Sequence, residues 1–86
     1  MASATTSIET RIEWCRRQRT QASTPVELEG WRAEEEGLLD AVLNTDHMNQ
    51  YRQFPPRVFE RYAMGLQDGQ ALIRAEAVAS VAGSPH

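Results

Sequence analysis

The residues of this chain best suited to chemistry are an acidic run and the histidine that follows it: Glu34, Glu35, Glu36, Asp40 and His47. Carboxylates and imidazole together suit a metal ion or acid–base work. A dinuclear carboxylate centre between helices, however, uses Glu-x-x-His pairs facing inward. No acid lies three residues before His47, and the His-Glu-x-x-His pattern of zinc hydrolases is absent. Consecutive glutamates also point in different directions around a helix. The run is therefore expected to be the solvated face of a helix, with no metal ligands.

Cys15 with His47 would be a second chemical pairing, a thiol nucleophile and its base. The thiol lies at helical spacing from Ile8 and Ile12, which predicts a small core residue instead. Glycine-rich phosphate loops, G-x-S-x-G and dinucleotide fingerprints are absent. No catalytic residue and no cofactor is expected, and the chain reads as non-enzymatic.

Two further groups suggest binding. Arg11, Arg16, Arg17 and Arg19 surround Trp14, so they could meet phosphates or an acidic neighbour. Gly65 and Gly69, four residues apart in an apolar stripe, allow another backbone to approach closely. That approach could come from within the chain or from a second copy.

These groups need elements to hold them. Thr6-Ser7-Ile8-Glu9 fits a capping box, with Thr6 as N-cap of a first helix that runs to about Ala22. Thr24-Pro25-Val26-Glu27 is a capping box with proline at the first helical position. It predicts a second helix to about Leu43, with Leu28, Trp31, Leu38, Leu39, Val42 and Leu43 on its apolar face. Gly30 and Gly37 weaken it by about 1 kcal/mol each relative to alanine. Asn44-Thr45-Asp46 predicts a kink or stop, with Asn44 as C-terminal cap and Thr45 or Asp46 as N-cap of a short helix through Arg52; the alternative is one unbroken helix from Pro25 to Arg52. Pro55 to Val81 predicts one long last helix, with Val58, Phe59, Tyr62, Leu66, Leu72 and Ile73 in phase. Residues 1–5 and 83–86 are expected to be flexible.

The expected fold is all-α: an antiparallel helical hairpin or three-helix bundle with a long C-terminal helix, one small domain completed by dimerisation. The basic first helix would lie beside the acidic second one. At 86 residues the chain has room for a thin core only. The dimer contact is expected at Phe59, Tyr62, Gly65, Leu66, Gly69 and Ile73.

All nine basic residues are arginine, which points to a GC-rich coding sequence such as that of a GC-rich bacterium or its phage. Net charge is −3 and the pI near 5.3, which disfavours polyanions. A lone cysteine forms no internal disulfide, Met1 to Ser7 lacks the features of a signal peptide, and no apolar run is long enough to span a membrane. A cytoplasmic location is expected. The function expected is binding to another protein, as a regulator, adaptor or inhibitor encoded by a phage or other mobile element. Trp14, Arg16, Arg17, Glu34, Glu35 and Asp40 would form the partner surface. The alternative is a small nucleic-acid-binding regulator using the arginines of the first helix.

Overall fold

The computed structural model describes residues 7–82, and side chains for 7–78 of these. Within them the chain is all-helical: α1 (Ile8–Gln21), α2 (Pro25–Leu43), the one-turn α3 (Met48–Tyr51) and α4 (Pro56–Ala82). The expectations for residues 1–6 and 83–86, Thr6 among them, lie outside the described residues.

The helix ends follow from local chemistry. Ser7, one position later than expected, caps α1 by accepting from the Thr10 amide at 3.1 Å. Thr24 caps α2 by accepting from the Glu27 amide at 3.1 Å, with Pro25 at the start of the helix. The reciprocal bond of that box lands one residue early: Glu27 accepts from the Ser23 amide. Asn44 ends α2 in the left-handed region, at φ 56°, a conformation that asparagine tolerates better than most residues. Asp46 then accepts from the Met48 amide at 2.7 Å and starts α3. After the Phe54–Pro55 corner, the Pro55 carbonyl accepts from the Val58 and Phe59 amides, and α4 begins.

α2 is the central element, because both long neighbours pack on it and hardly on each other. Against α4 it buries Ala33, with Val58, Tyr62, Leu66 and Tyr51 opposite; against α1 it buries Leu38, with Ile8, Ile12 and Cys15 opposite. The α2–α4 crossing is unusually close. A Cβ on Gly37 would stand 2.6 Å from the Leu66 amide nitrogen and still closer to the Tyr62 carbonyl oxygen. One on Gly65 would run into the Glu34 carbonyl oxygen, and one on Gly69 would lie 2.6 Å from the Ala41 Cβ. The two backbones therefore touch where side chains normally hold helix axes about 8–10 Å apart. Gly65 and Gly69 thus lie against α2 of the same chain. Gly37 contributes as much from the other side, although its spacing alone suggested only a weak point in the helix.

The acidic face of α2 is solvated only in part: Glu27 and Glu29 are exposed and Glu36 is half buried. Glu34, Glu35 and Asp40 retain only 1%, 6% and 4% exposure, so the expectation that they form an outer surface is corrected. A close crossing leaves little solvent beside α2; Glu34 and Glu35 are matched by arginines of α1 and α4, and Asp40 by Tyr62, Thr45 and His47.

Candidate functional site

Three polar clusters are built on α2. In the first, Glu34 Oε2 accepts from Arg11 Nη2 at 2.7 Å and Oε1 from Arg61 Nη1 at 2.8 Å. Arg11 also reaches Asp68 at 3.2 Å. One buried carboxylate thus ties α1 and α4 together through α2. Cys15 Sγ donates to the same Glu34 oxygen across 3.6 Å. Burial, then the charge and hydrogen bond of Glu34, push the thiol up to about 12. Cys15 should accordingly resist iodoacetamide at mildly alkaline pH in the folded chain and react at the ordinary thiol rate in denaturant. Fast native labelling would contradict the buried thiol.

In the second cluster, Glu35 takes Arg16 Nε at 2.8 Å and Arg19 Nη1 at 2.9 Å. The Arg19 pair is close but poorly aligned, so Glu35 Oε1 has no hydrogen bond among the described residues. Arg11, Arg16 and Arg19 therefore hold α1 onto α2. Arg17 makes no ion pair among the described residues.

The third cluster closes the α2–α3–α4 corner. Tyr51 and Tyr62 stack with ring centroids 4.2 Å apart. Each hydroxyl donates to a carboxylate of α2, Tyr51 to Glu36 at 2.6 Å and Tyr62 to Asp40 at 2.5 Å. The Tyr62 oxygen also accepts from the His47 amide at 2.7 Å. His47 Nδ1 lies 2.7 Å from Asp40 Oδ2 and 3.8 Å from Glu36 Oε2. Because a carboxylate only accepts, Nδ1 carries the proton. Glu36, Asp40 and His47 are also the residues that could hold a metal, with ligand atoms all within 4.8 Å of one another. The His47–Asp40 separation is that of a hydrogen bond, shorter than the about 3.3 Å between two donors on a tetrahedral zinc. Protons satisfy the cluster as it stands.

This corner makes stability depend on pH. Burial raises the Asp40 carboxyl, but hydrogen bonds from Tyr62, His47 and Thr45 outweigh it and hold the group below its ordinary 3.8. Its contribution is present above that value and lost as pH falls through the depressed one. The hydrogen bond to Asp40, and then its charge, raise His47 above its ordinary 6.5, with Glu36 and Asp46 adding to the effect. That contribution is complete below 6.5 and lost as pH rises through the raised value. Urea midpoints should therefore peak in the weakly acidic range, and His47→Gln should flatten the alkaline limb most, with a smaller effect on the acidic limb because Tyr62 and Thr45 still hold Asp40. An alkaline limb unchanged in His47→Gln would rule out the His47–Asp40 contact as its cause.

A groove runs between α1 and α4 with α2 as its floor. Thr10, Arg11, Trp14 and Arg17 line one side, Arg61, Met64 and Asp68 the other, and Glu34 lies beneath; the volume is about 540 Å³. A second hollow of about 320 Å³ shares Arg61 and Met64 and adds Trp31, Arg57 and Glu60. Trp14 meets Trp31 edge to face, centroids 5.0 Å apart, and the Arg61 guanidinium lies 4.2 Å over the Trp31 ring. Trp14 and Met64 are 37% and 45% exposed.

Of the residues expected at a partner surface, Trp14 and Arg17 are exposed in this groove. Arg16 is half exposed but paired, and Glu34, Glu35 and Asp40 are buried. Of those expected at a dimer contact, Tyr62, Gly65, Leu66 and Gly69 are buried; Phe59 and Ile73 are half buried. Sequence reasoning missed Arg11 and Arg61 as the clamp on Glu34. Arg61 lies one position before Tyr62 in the apolar phase of α4, a signal too common to single out. It also missed the stacked tyrosines, since Tyr51 reaches Tyr62 only across the Phe54–Pro55 corner between α3 and α4. Comparison with protein-family models, with curated proteins and with solved structures found no match, so function is argued from this geometry alone.

Proposed function

We propose that the chain is a small protein-binding module, a regulator, adaptor or inhibitor, whose docking face is the groove between α1 and α4. One observation carries this reading: Trp14 and Met64 stand exposed beside Arg17, on a surface held rigid by the Trp14–Trp31 contact and the Glu34 clamp. Tryptophan, methionine and arginine are the side chains enriched where protein interfaces have their cores. A rigid anchor also loses little entropy on binding. A second copy of the chain is one candidate partner. It would dock away from Gly65 and Gly69, because α2 covers their surface. The nucleic-acid alternative has less support, since Arg11, Arg16 and Arg19 are already engaged by carboxylates.

The test is site-specific photocrosslinking in cells that make the chain. A crosslinker at Met64 should trap a protein adduct, its own or foreign, that one at Arg52 on the α3 corner does not. Equal patterns at the two positions would sink the reading.

A further inference from the structure

We infer that this groove binds an acidic segment of a partner protein, one with a bulky apolar side chain close to a carboxylate. The inference rests on the docking face proposed above and adds the chemistry of what docks. In a chain of net charge −3, the groove is locally positive: Arg11, Arg17 and Arg61 stand against Glu34 and Asp68. Both Glu34 oxygens are already occupied, and Glu34 is buried beneath the groove. The donors exceed the acceptors. Arg17 has no ion pair and Arg61 donates only through Nη1, both among the described residues. Such guanidinium edges match carboxylate geometry. Beside them Trp14 and Met64 offer an apolar contact, which a carboxylate alone would leave exposed. A nucleic acid suits the groove less well: it carries a charge at every phosphate, and a chain of net charge −3 repels such a polyanion more than a segment with one carboxylate.

The experiment selects short random peptides displayed on phage against the full-length chain. Winners are then synthesised and measured by fluorescence anisotropy on wild type, Trp14→Ala and Arg17→Glu, with Arg17→Ala as a milder variant. Circular dichroism confirms that each variant is folded. The expected winners carry Asp or Glu next to Trp, Phe or Leu. Their affinity should fall about ten-fold or more in Arg17→Glu, and similarly in Trp14→Ala. Winners without acids, or indifferent to both Arg17 variants, overturn the acidic-segment inference. If those same peptides still need Trp14, the docking face itself stands. Peptides indifferent to Trp14→Ala, or no enrichment at all, overturn both. Oligothymidylate binding that Arg17→Glu abolishes, without acidic-peptide binding, reassigns the groove to nucleic acid.

Discussion

Gly65→Leu should unfold this protein at room temperature, and Gly65→Ala should cost it about 2 kcal/mol or more. The added Cβ meets the Glu34 carbonyl oxygen, with the carbonyl carbon at 2.9 Å. Both are backbone atoms, so no side chain can swing aside and the helices must separate. Overpacking a well-filled core costs about 1–3 kcal/mol, and a backbone collision belongs at the upper end. Against it stands the gain of about 1 kcal/mol from replacing a helical glycine with alanine. A chain of this length has about 4–13 kcal/mol of stability in all, so the leucine variant exhausts most of it. Gly37→Ala should behave similarly, since its Cβ meets the Tyr62 carbonyl and the Leu66 amide. Gly30→Ala is the control: its Cβ would lie 3.5 Å from the flexible Arg61 side chain, an ordinary contact. That variant should be neutral or up to about 1 kcal/mol more stable. Urea unfolding of the four variants checks the order. If Gly65→Ala matched Gly30→Ala, the close crossing would be refuted. If Gly65→Leu gave a folded chain of half the native mass, the glycines would instead lie between subunits.

The helices were legible in the sequence because their signals are local. Thr24-Pro25 and Asn44 each fix a boundary through one side chain or one backbone conformation, and the structure places the ends of α2 there. What was not legible depends on the angle at which two helices meet. Gly65 and Gly69 announced a close approach, but only the crossing shows that Gly37 faces them. The acidic run misled for the same reason. On an isolated helix, Glu34, Glu35 and Asp40 are polar residues that favour water, and burying a carboxylate is costly without a partner. Each has partners more than a helical turn away in sequence: Arg11 and Arg61, Arg16 and Arg19, Tyr62 and His47. The charge complementarity of α1 and α2 was readable; that it would be buried was not.

That burial changes what the charges do. Exposed ion pairs are worth about 0–1 kcal/mol, and four of them would hold α1 weakly. Here three of the four have a carboxylate end, Glu34 or Glu35, out of water. Their pairing therefore specifies how α1 sits on α2 more than it adds stability, because desolvation offsets much of the attraction. α1 brings only Ile8, Ile12 and Cys15 as buried apolar residues, so its register relies on the arginines. The docking groove inherits that precision, since Arg11 lines it and also clamps Glu34.

Glu34→Ala tests this arrangement most directly, and it should cost about 2–3 kcal/mol. Removing one partner of a fully buried pair costs about 3–5 kcal/mol. The discount reflects the arginines left behind, whose side chains are 25% and 37% exposed and can turn to water. Glu34→Met separates specificity from stability. It fills a similar volume without a charge, so it should recover most of the loss while α1 loses its register. Cys15 reports that register independently. Glu34 supplies the largest influences on the thiol after burial itself, so in either variant the thiol should titrate lower and label faster under native conditions. Arg16→Ala, which removes a half-exposed partner of Glu35 while Arg19 remains, should cost clearly less than Glu34→Ala and leave Cys15 protected. Urea midpoints and iodoacetamide rates on the same samples read both effects. If Glu34→Ala were no worse than Arg16→Ala on both, the Glu34 clamp would be an incidental contact. The groove would then owe its shape to Trp14 and Trp31 alone. If stability fell while labelling stayed slow, Glu34 would support the core without placing α1, and the docking face would survive its removal.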